Sequence, residues 1–167
     1  MNVKIREADF SDLERINEIY NYYVVNSTCT YQRDPVSMEE RIGWFQSRSE
    51  QHPVVVAQES NQIVGWGSIS SFKKRSAYEN TGEVAVYIDH RFHRRGIGTE
   101  ILKFLLMHAE KSGLHTLIAA ISADQEPSLK LHEKLGFKIS GRMAEVGYKF
   151  DRWLDVIYMQ IMIERKK

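Results

Sequence analysis

The chain has 167 residues, 43% of them hydrophobic and 11% aromatic, and its 23 Lys+Arg nearly balance its 22 Asp+Glu. That length suits one domain with a sizeable core, and a formal charge of +1 excludes a broadly basic nucleic-acid coat or an acidic tail protein. One cysteine, Cys29, excludes an intrachain disulfide framework or a cysteine zinc cluster, and no apolar run approaches the ~20 residues of a membrane span. The expectation is a single domain over residues 1–167, cytoplasmic and free of membrane contact.

Alternation around Val3 and Ile5 predicts a short first strand. Ser11-Asp12-Leu13-Glu14 has the form of a capping box, and Leu13, Ile16, Tyr20, Tyr23 and Val24 follow at helical spacing. After a loop over 26–36, Ser37-Met38-Glu39-Glu40 repeats the box and opens a second helix with Ile42 and Phe45 on one side. Residues 53–59 and 63–72 read as strands joined through Ser60-Asn61-Gln62, and a polar loop over 73–80 leads to a strand over 82–89. Ile101, Leu102, Leu105, Leu106 and Ala109 mark a third helix, which Gly113 stops. Residues 115–122 are nearly all apolar, as in a strand covered on both faces. A short helix runs from about Pro127 to Gly136, and residues 137–143 and 153–163 supply the last strands. The order βααβββαβαββ predicts a mixed α/β sheet with helices on both faces.

Residues 83–101 carry the most chemistry. A strand ends near Asp89, a basic turn follows, and Gly96-Ile97-Gly98 opens a helix. A helix start offers unpaired N–H groups and partial positive charge, and glycines let an oxygen approach the backbone. A bare helix start fits the same residues, but Arg91, Arg94 and Arg95 add cations suited to a polyphosphate. Neither the Walker pattern nor the three-glycine dinucleotide pattern is present. As a nucleic-acid patch the basic turn is too short, so no nucleic-acid partner is expected. His90 and His93 lack a third ligand nearby in sequence, so no metal is expected.

Arg94-Arg95-Gly96-Ile97-Gly98, together with Leu131-His132-Glu133-Lys134-Leu135-Gly136-Phe137, resembles the acetyl-CoA-binding core of the GNAT N-acetyltransferases. Arg75-Ser76-Ala77-Tyr78, Glu83-Val84-Ala85-Val86-Tyr87 and Gly147-Tyr148-Lys149-Phe150-Asp151-Arg152-Trp153 are similar to the phosphinothricin and methionine-sulfone acetyltransferase branch. The likeness spans nearly the whole chain. It implies a mixed, mostly antiparallel central sheet flanked by about four helices, a homodimer, and acetyl transfer from acetyl-CoA to the α-amine of a small amino acid or toxic analogue. Another small amine or a protein N-terminus as acceptor, and a non-catalytic acetyl-CoA sensor, are the alternatives.

Such a transfer needs a base for the amine and a proton or dipole for the departing thiolate. Glu83, at the start of the strand that leads to the glycine turn, is the candidate base; a solvated strand-end carboxylate is the plain alternative. His132, four residues before Gly136, is the candidate proton donor or else a helix histidine bonded at the core edge. The resemblance places pantetheine along Val86, Ile88 and Asp89, and the pyrophosphate on His93, Arg94, Arg95, Gly96, Ile97, Gly98 and Thr99. Gln125 and Ser128 would complete the coenzyme site; His93 stands where the family usually has Gln or Arg, and Gln125 where it usually has Asn. The acceptor would meet Tyr31, Phe72, Arg75, Ser76, Ala77, Ala85, Tyr87 and Lys149, with Arg75 first and Lys149 second as carboxylate-binding cations.

Overall fold

The computed structural model describes residues 3–164. These form β1 (Val3–Glu7), α1 (Leu13–Asn26), α2 (Met38–Gln46), β2 (Val54–Glu59), β3 (Gln62–Ser71), β4 (Thr81–Ile88), α3 (Ile97–Lys111), β5 (Thr116–Ser122), α4 (Glu126–Lys134), β6 (Lys138–Lys149) and β7 (Arg152–Met162). The strands make a seven-stranded sheet in the order β1-β2-β3-β4-β5-β7-β6. Every neighbouring pair is antiparallel except β4 with β5. The mixed, mostly antiparallel sheet with four flanking helices is therefore the fold that forms.

Two apolar layers cover the sheet. On one face Ile97, Ile101, Leu102, Leu105 and Ala109 of α3 pack on Val55, Val64, Ile69, Val84 and Leu117, with Leu129 and Leu131 of α4 against the same cluster. On the other, Leu13, Ile16, Ile19 and Tyr23 of α1 pack on Val54, Val56 and Trp66, with Ile42 and Phe45 of α2. Arg41 of α2 is buried there too, its guanidinium 4.8 Å from the Tyr20 ring centre and 4.6 Å from that of Trp44, with Nε donating to Asn17 (3.0 Å).

β4 and β5 pair only at Thr81–Thr116, Gly82–Leu117 and Glu83–Ile118. Beyond Glu83 the two strands separate. Because β4 continues to pair with β3 through Ile88, its odd-numbered residues bond toward β3 while Val86 and Ile88 turn their backbone groups toward the gap. The ends of the two strands have separate anchors. At the end of β4, buried Asp89 takes hydrogen bonds from Arg15 and from Arg91 (Nε 3.0 Å, Nη2 2.6 Å). At the end of β5, Asp124 accepts from Ser122 (2.8 Å), Thr28 (2.7 Å) and Arg152 (2.6 Å).

Most predicted element ends lie within a residue of those observed. The first capping box is displaced: Asp9, not Ser11, caps a short 3-10 turn at Phe10–Asp12, with Asp12 as its reciprocal partner, while Ser37 and Glu40 form the second box as expected. β6 runs to Lys149 rather than stopping at 143. Its residues are largely exposed on both sides, so no inside–outside alternation marks the strand. What defines it is the hairpin with β7, closed by Phe150 and Asp151, both at positive φ (52° and 55°).

Candidate active site

The gap between β4 and β5 is a cleft of about 570 Å³ that passes through the sheet. Alternation along β4 puts the side chains of Val84, Val86 and Ile88 on the α3 face, and those of Glu83, Ala85 and Tyr87 on the α1/α2 face. Glu83 sits at the vertex, where pairing ends, and Ala119 and Ala120 of β5 line the opposite wall with small side chains. Burial raises the Glu83 pKa above its ordinary value.

At the open end of the cleft lies the glycine turn. Arg94 and Gly96 both adopt positive φ (59° and 75°), and Gly96 caps α3 without any side-chain hydrogen bond to the first amides. The first intrahelical bond is Glu100 N to Gly96 O (3.2 Å), so the amides of Ile97, Gly98 and Thr99 have no helical acceptor. A Cβ on Gly98 would lie 3.1 Å from Leu131, which explains why bare backbone faces the cleft here. These amides, the free β4 edge and Arg94 fit a phosphate-bearing, amide-containing coenzyme such as acetyl-CoA. The arginines divide their roles: Arg91 binds Asp89 and Arg95 binds Glu59 (2.6 Å), whereas Arg94 makes no ion pair among the described residues.

The far side of the cleft is closed by α1 and the loop after it. The Tyr23 hydroxyl donates to the Ile88 carbonyl and so must accept from His93 Nε2 (2.6 Å), which fixes that ring nitrogen as N–H. Gln125, at the start of α4, donates to Thr28 Oγ1 (2.7 Å) and accepts from Cys29 Sγ (3.1 Å). Its extra methylene, compared with an asparagine, carries the amide to the loop. His132 is buried in the α4 wall with Nδ1 2.8 Å from the Ser128 carbonyl, so Nδ1 carries the proton. Its Nε2 is buried without a partner among the described residues, and burial lowers its pKa. A neutral ring with a bare Nε2 accepts hydrogen bonds and does not donate from that atom.

The cleft brings together Glu83, Ala85, Val86, Tyr87, Ile88, His93 through Thr99, Gln125, Ser128 and His132. The other expected residues lie elsewhere. Asp89 does not face the coenzyme path: its carboxylate is enclosed by Arg15 and Arg91 and organises the turn. Tyr31 braces the loop, its hydroxyl 2.9 Å from both Ser122 Oγ and the Asp155 carbonyl. Phe72, Arg75, Ser76 and Ala77 belong to the loop between β3 and β4, outside the cleft lining, with Arg75 exposed. Lys149 departs furthest from expectation. Its buried ammonium donates to the carbonyls of Ser27 (2.7 Å) and Thr30 (2.8 Å), tying the hairpin to the end of α1 rather than facing an acceptor. Tyr23, Cys29 and Leu131 line the cleft unanticipated; each follows an ordinary apolar or loop pattern, and only tertiary packing turns it inward. Among the described residues no group of three or more His, Cys, Asp or Glu side chains could hold a metal ion, and no helix is long and apolar enough to cross a membrane.

A sequence profile of the acetyltransferase (GNAT) domain matches residues 5–158. An L-methionine sulfoximine/L-methionine sulfone acetyltransferase of Pseudomonas paraeruginosa is 36% identical over 98% of this chain and 96% of its own length. A phosphinothricin N-acetyltransferase of Streptomyces viridochromogenes is 32% identical, covering 95% of this chain and 86% of that one. The crystal structure of a phosphinothricin acetyltransferase from Sinorhizobium meliloti in complex with AcCoA superposes with a TM-score of 0.92, at 32% identity, over 98% of this chain and 89% of the other.

Replacing Lys149 by Met should cost about 1–3 kcal/mol of stability, because the carbonyls of Ser27 and Thr30 lose a charged donor. Denaturant unfolding measures this. Unchanged stability with a raised KM for the acceptor would return Lys149 to the acceptor site.

Proposed function

This chain belongs to the GNAT acetyltransferase family, and from that premise we propose that it acetylates the α-amine of a small amino acid or analogue such as methionine sulfoximine, methionine sulfone or phosphinothricin. The substrate class is carried over from the names of relatives that match nearly the full chain. The observation that supports the chemistry is Glu83: a partly buried carboxylate at the vertex where the β4–β5 gap opens toward both faces of the sheet.

Acetyl-CoA supplies the acetyl thioester. The amides of Ile97, Gly98 and Thr99, with Arg94, hold its phosphates, and the open edge at Val86 and at the Ile88 amide bonds its amide-bearing arm. The acceptor approaches from the α1/α2 face over Ala85 and Ala120, whose small side chains leave room beside Glu83. Glu83 takes the proton from the ammonium form of the amine, directly or through water, so that the nitrogen lone pair is free. Its raised pKa strengthens it as a base. With acetyl-CoA as donor, the working compartment is the cytoplasm.

The quaternary proposal is a homodimer through the β6–β7 side. β6 is an edge strand, and Met143, Val146, Tyr148 and Trp153 on that hairpin are exposed large apolar residues. Light scattering should report a dimer that Trp153→Glu converts to monomer; a wild-type monomer at micromolar concentration would contradict it.

In a thiol-release assay with a panel of amino acids and analogues, release should require an acceptor. Glu83→Gln should lower kcat/KM by about 10²–10⁴-fold. The rate should rise with pH through a limb above the ordinary glutamate range, since burial makes Glu83 harder to ionise. The linked stability effect has the opposite sign: a carboxyl raised in the folded state destabilises the fold once it is ionised, so Glu83→Gln should melt no lower than wild type at pH 7. Normal turnover by this variant would remove Glu83 as the base.

A further inference from the structure

His93 follows the short 3-10 turn at His90–Phe92 in extended backbone and lines the open end of the cleft, directly before Arg94. One hydrogen bond fixes the state of its ring. The Tyr23 hydroxyl has a single proton, which goes to the Ile88 carbonyl, so the hydrogen in its bond to His93 Nε2 (2.6 Å) comes from the imidazole. Burial raises the Tyr23 pKa, so that hydroxyl keeps its own proton. The two rings lie 14° from parallel, with centres 6.3 Å apart. Nδ1 of His93 has no hydrogen-bond partner among the described residues. A neutral His93 therefore carries a lone pair, and no hydrogen, on Nδ1.

The groups around the ring do not offer it an anion. Asp89, the carboxylate of the same turn, is taken by Arg15 and Arg91. Cys29, close to Tyr23, points its thiol at Gln125. His90 stacks on Tyr22, with centres 3.9 Å apart. Arg94, next in the chain, is a second cation at the same opening and makes no ion pair among the described residues. A phosphate oxygen presented to a neutral His93 meets a lone pair at Nδ1. Presented to the imidazolium, it meets an N–H and a positive charge. Histidine gains its second proton near neutrality, so a bound anion can draw that proton from water.

We propose that His93 binds the coenzyme pyrophosphate as an imidazolium, so that capture of the coenzyme takes up a proton from solvent at Nδ1. The inference rests on the coenzyme reading given above. Tyr23 is the lock that makes the uptake necessary. With Nε2 free, a neutral ring could carry its one hydrogen on Nδ1 and donate to phosphate without gaining a proton. With the Nε2 hydrogen engaged by Tyr23, a second hydrogen is needed. The bound state then holds one proton more than the free state, so affinity rises as pH falls.

The test is calorimetric titration with 3′-dephospho-coenzyme A from about pH 8 to about pH 6. This probe keeps the pyrophosphate and lacks the phosphomonoester, which itself titrates near pH ~6. Wild type should bind about two- to fivefold more tightly at the lower pH, the range of an ion pair open to solvent. Titrations in two buffers of different ionisation heat should show the proton taken up. His93→Gln, whose amide offers a donor but gains no proton, should lose both effects. Tyr23→Phe, which releases the lock, should weaken the pH dependence although His93 remains. An equal pH dependence in wild type and folded His93→Gln, or undiminished uptake in Tyr23→Phe, would overturn the proposal. Should neither variant fold, ring nitrogen-15 spectra of wild type decide: His93 Nδ1 must become protonated on saturation with the probe, and an unchanged Nδ1 overturns the idea. Failure of wild type to bind the probe at any pH would remove the coenzyme reading as well, whereas binding without linked protons removes this proposal alone.

Discussion

The pairing of β4 with β5 ends at Glu83, and the rest of the site follows from that interruption. A parallel pair inside a sheet normally satisfies every backbone group between its strands. Here each strand end is anchored separately, β4 through Asp89 to Arg15 and Arg91, β5 through Ser122 and Asp124 to Thr28 and Arg152. The backbone at Val86 and Ile88 is left facing a cleft, and the sheet acquires a passage between its two faces.

That passage divides the chemistry. On the α3/α4 face lie the helix start that suits phosphate and the His132 ring with its bare nitrogen; on the α1/α2 face lies Glu83. Two reactants approaching from opposite faces meet only at the vertex. The loop after α1 holds this arrangement in place, because Lys149 gathers the carbonyls of Ser27 and Thr30 while Gln125 bonds Thr28 and Cys29. Alignment of this kind is worth several kcal/mol to a bimolecular reaction.

Local order was legible in the sequence where one face of an element is buried. The apolar stripe of α3, the nearly all-apolar β5 and the Ser37–Glu40 box each carry a pattern or capping signal that the structure keeps. β6 carried none, because most of its residues are exposed on both sides. The site was legible as far as the glycine turn and Glu83, which are local in the chain. The split itself was not: residues 83–88 alternate like any strand, and the groups that bond the separated strand ends, such as Arg15, are distant in sequence. For the same reason Lys149 read as a second candidate cation for the acceptor's carboxylate, and His132 read equally as a proton donor or as a helix histidine bonded at the core edge. Their roles depend on carbonyls at Ser27, Thr30 and Ser128, and a backbone carbonyl leaves no mark in a sequence.

Residue-resolved amide hydrogen exchange along β4, with and without acetyl-CoA, tests the split most directly. Ala85 and Tyr87, bonded to β3, should be protected in both states, whereas Val86 and Ile88 should exchange rapidly in the free protein and slow on addition of acetyl-CoA. Protection of Val86 and Ile88 in the free protein, or rapid exchange that acetyl-CoA leaves unchanged, would contradict the open edge on which this account rests.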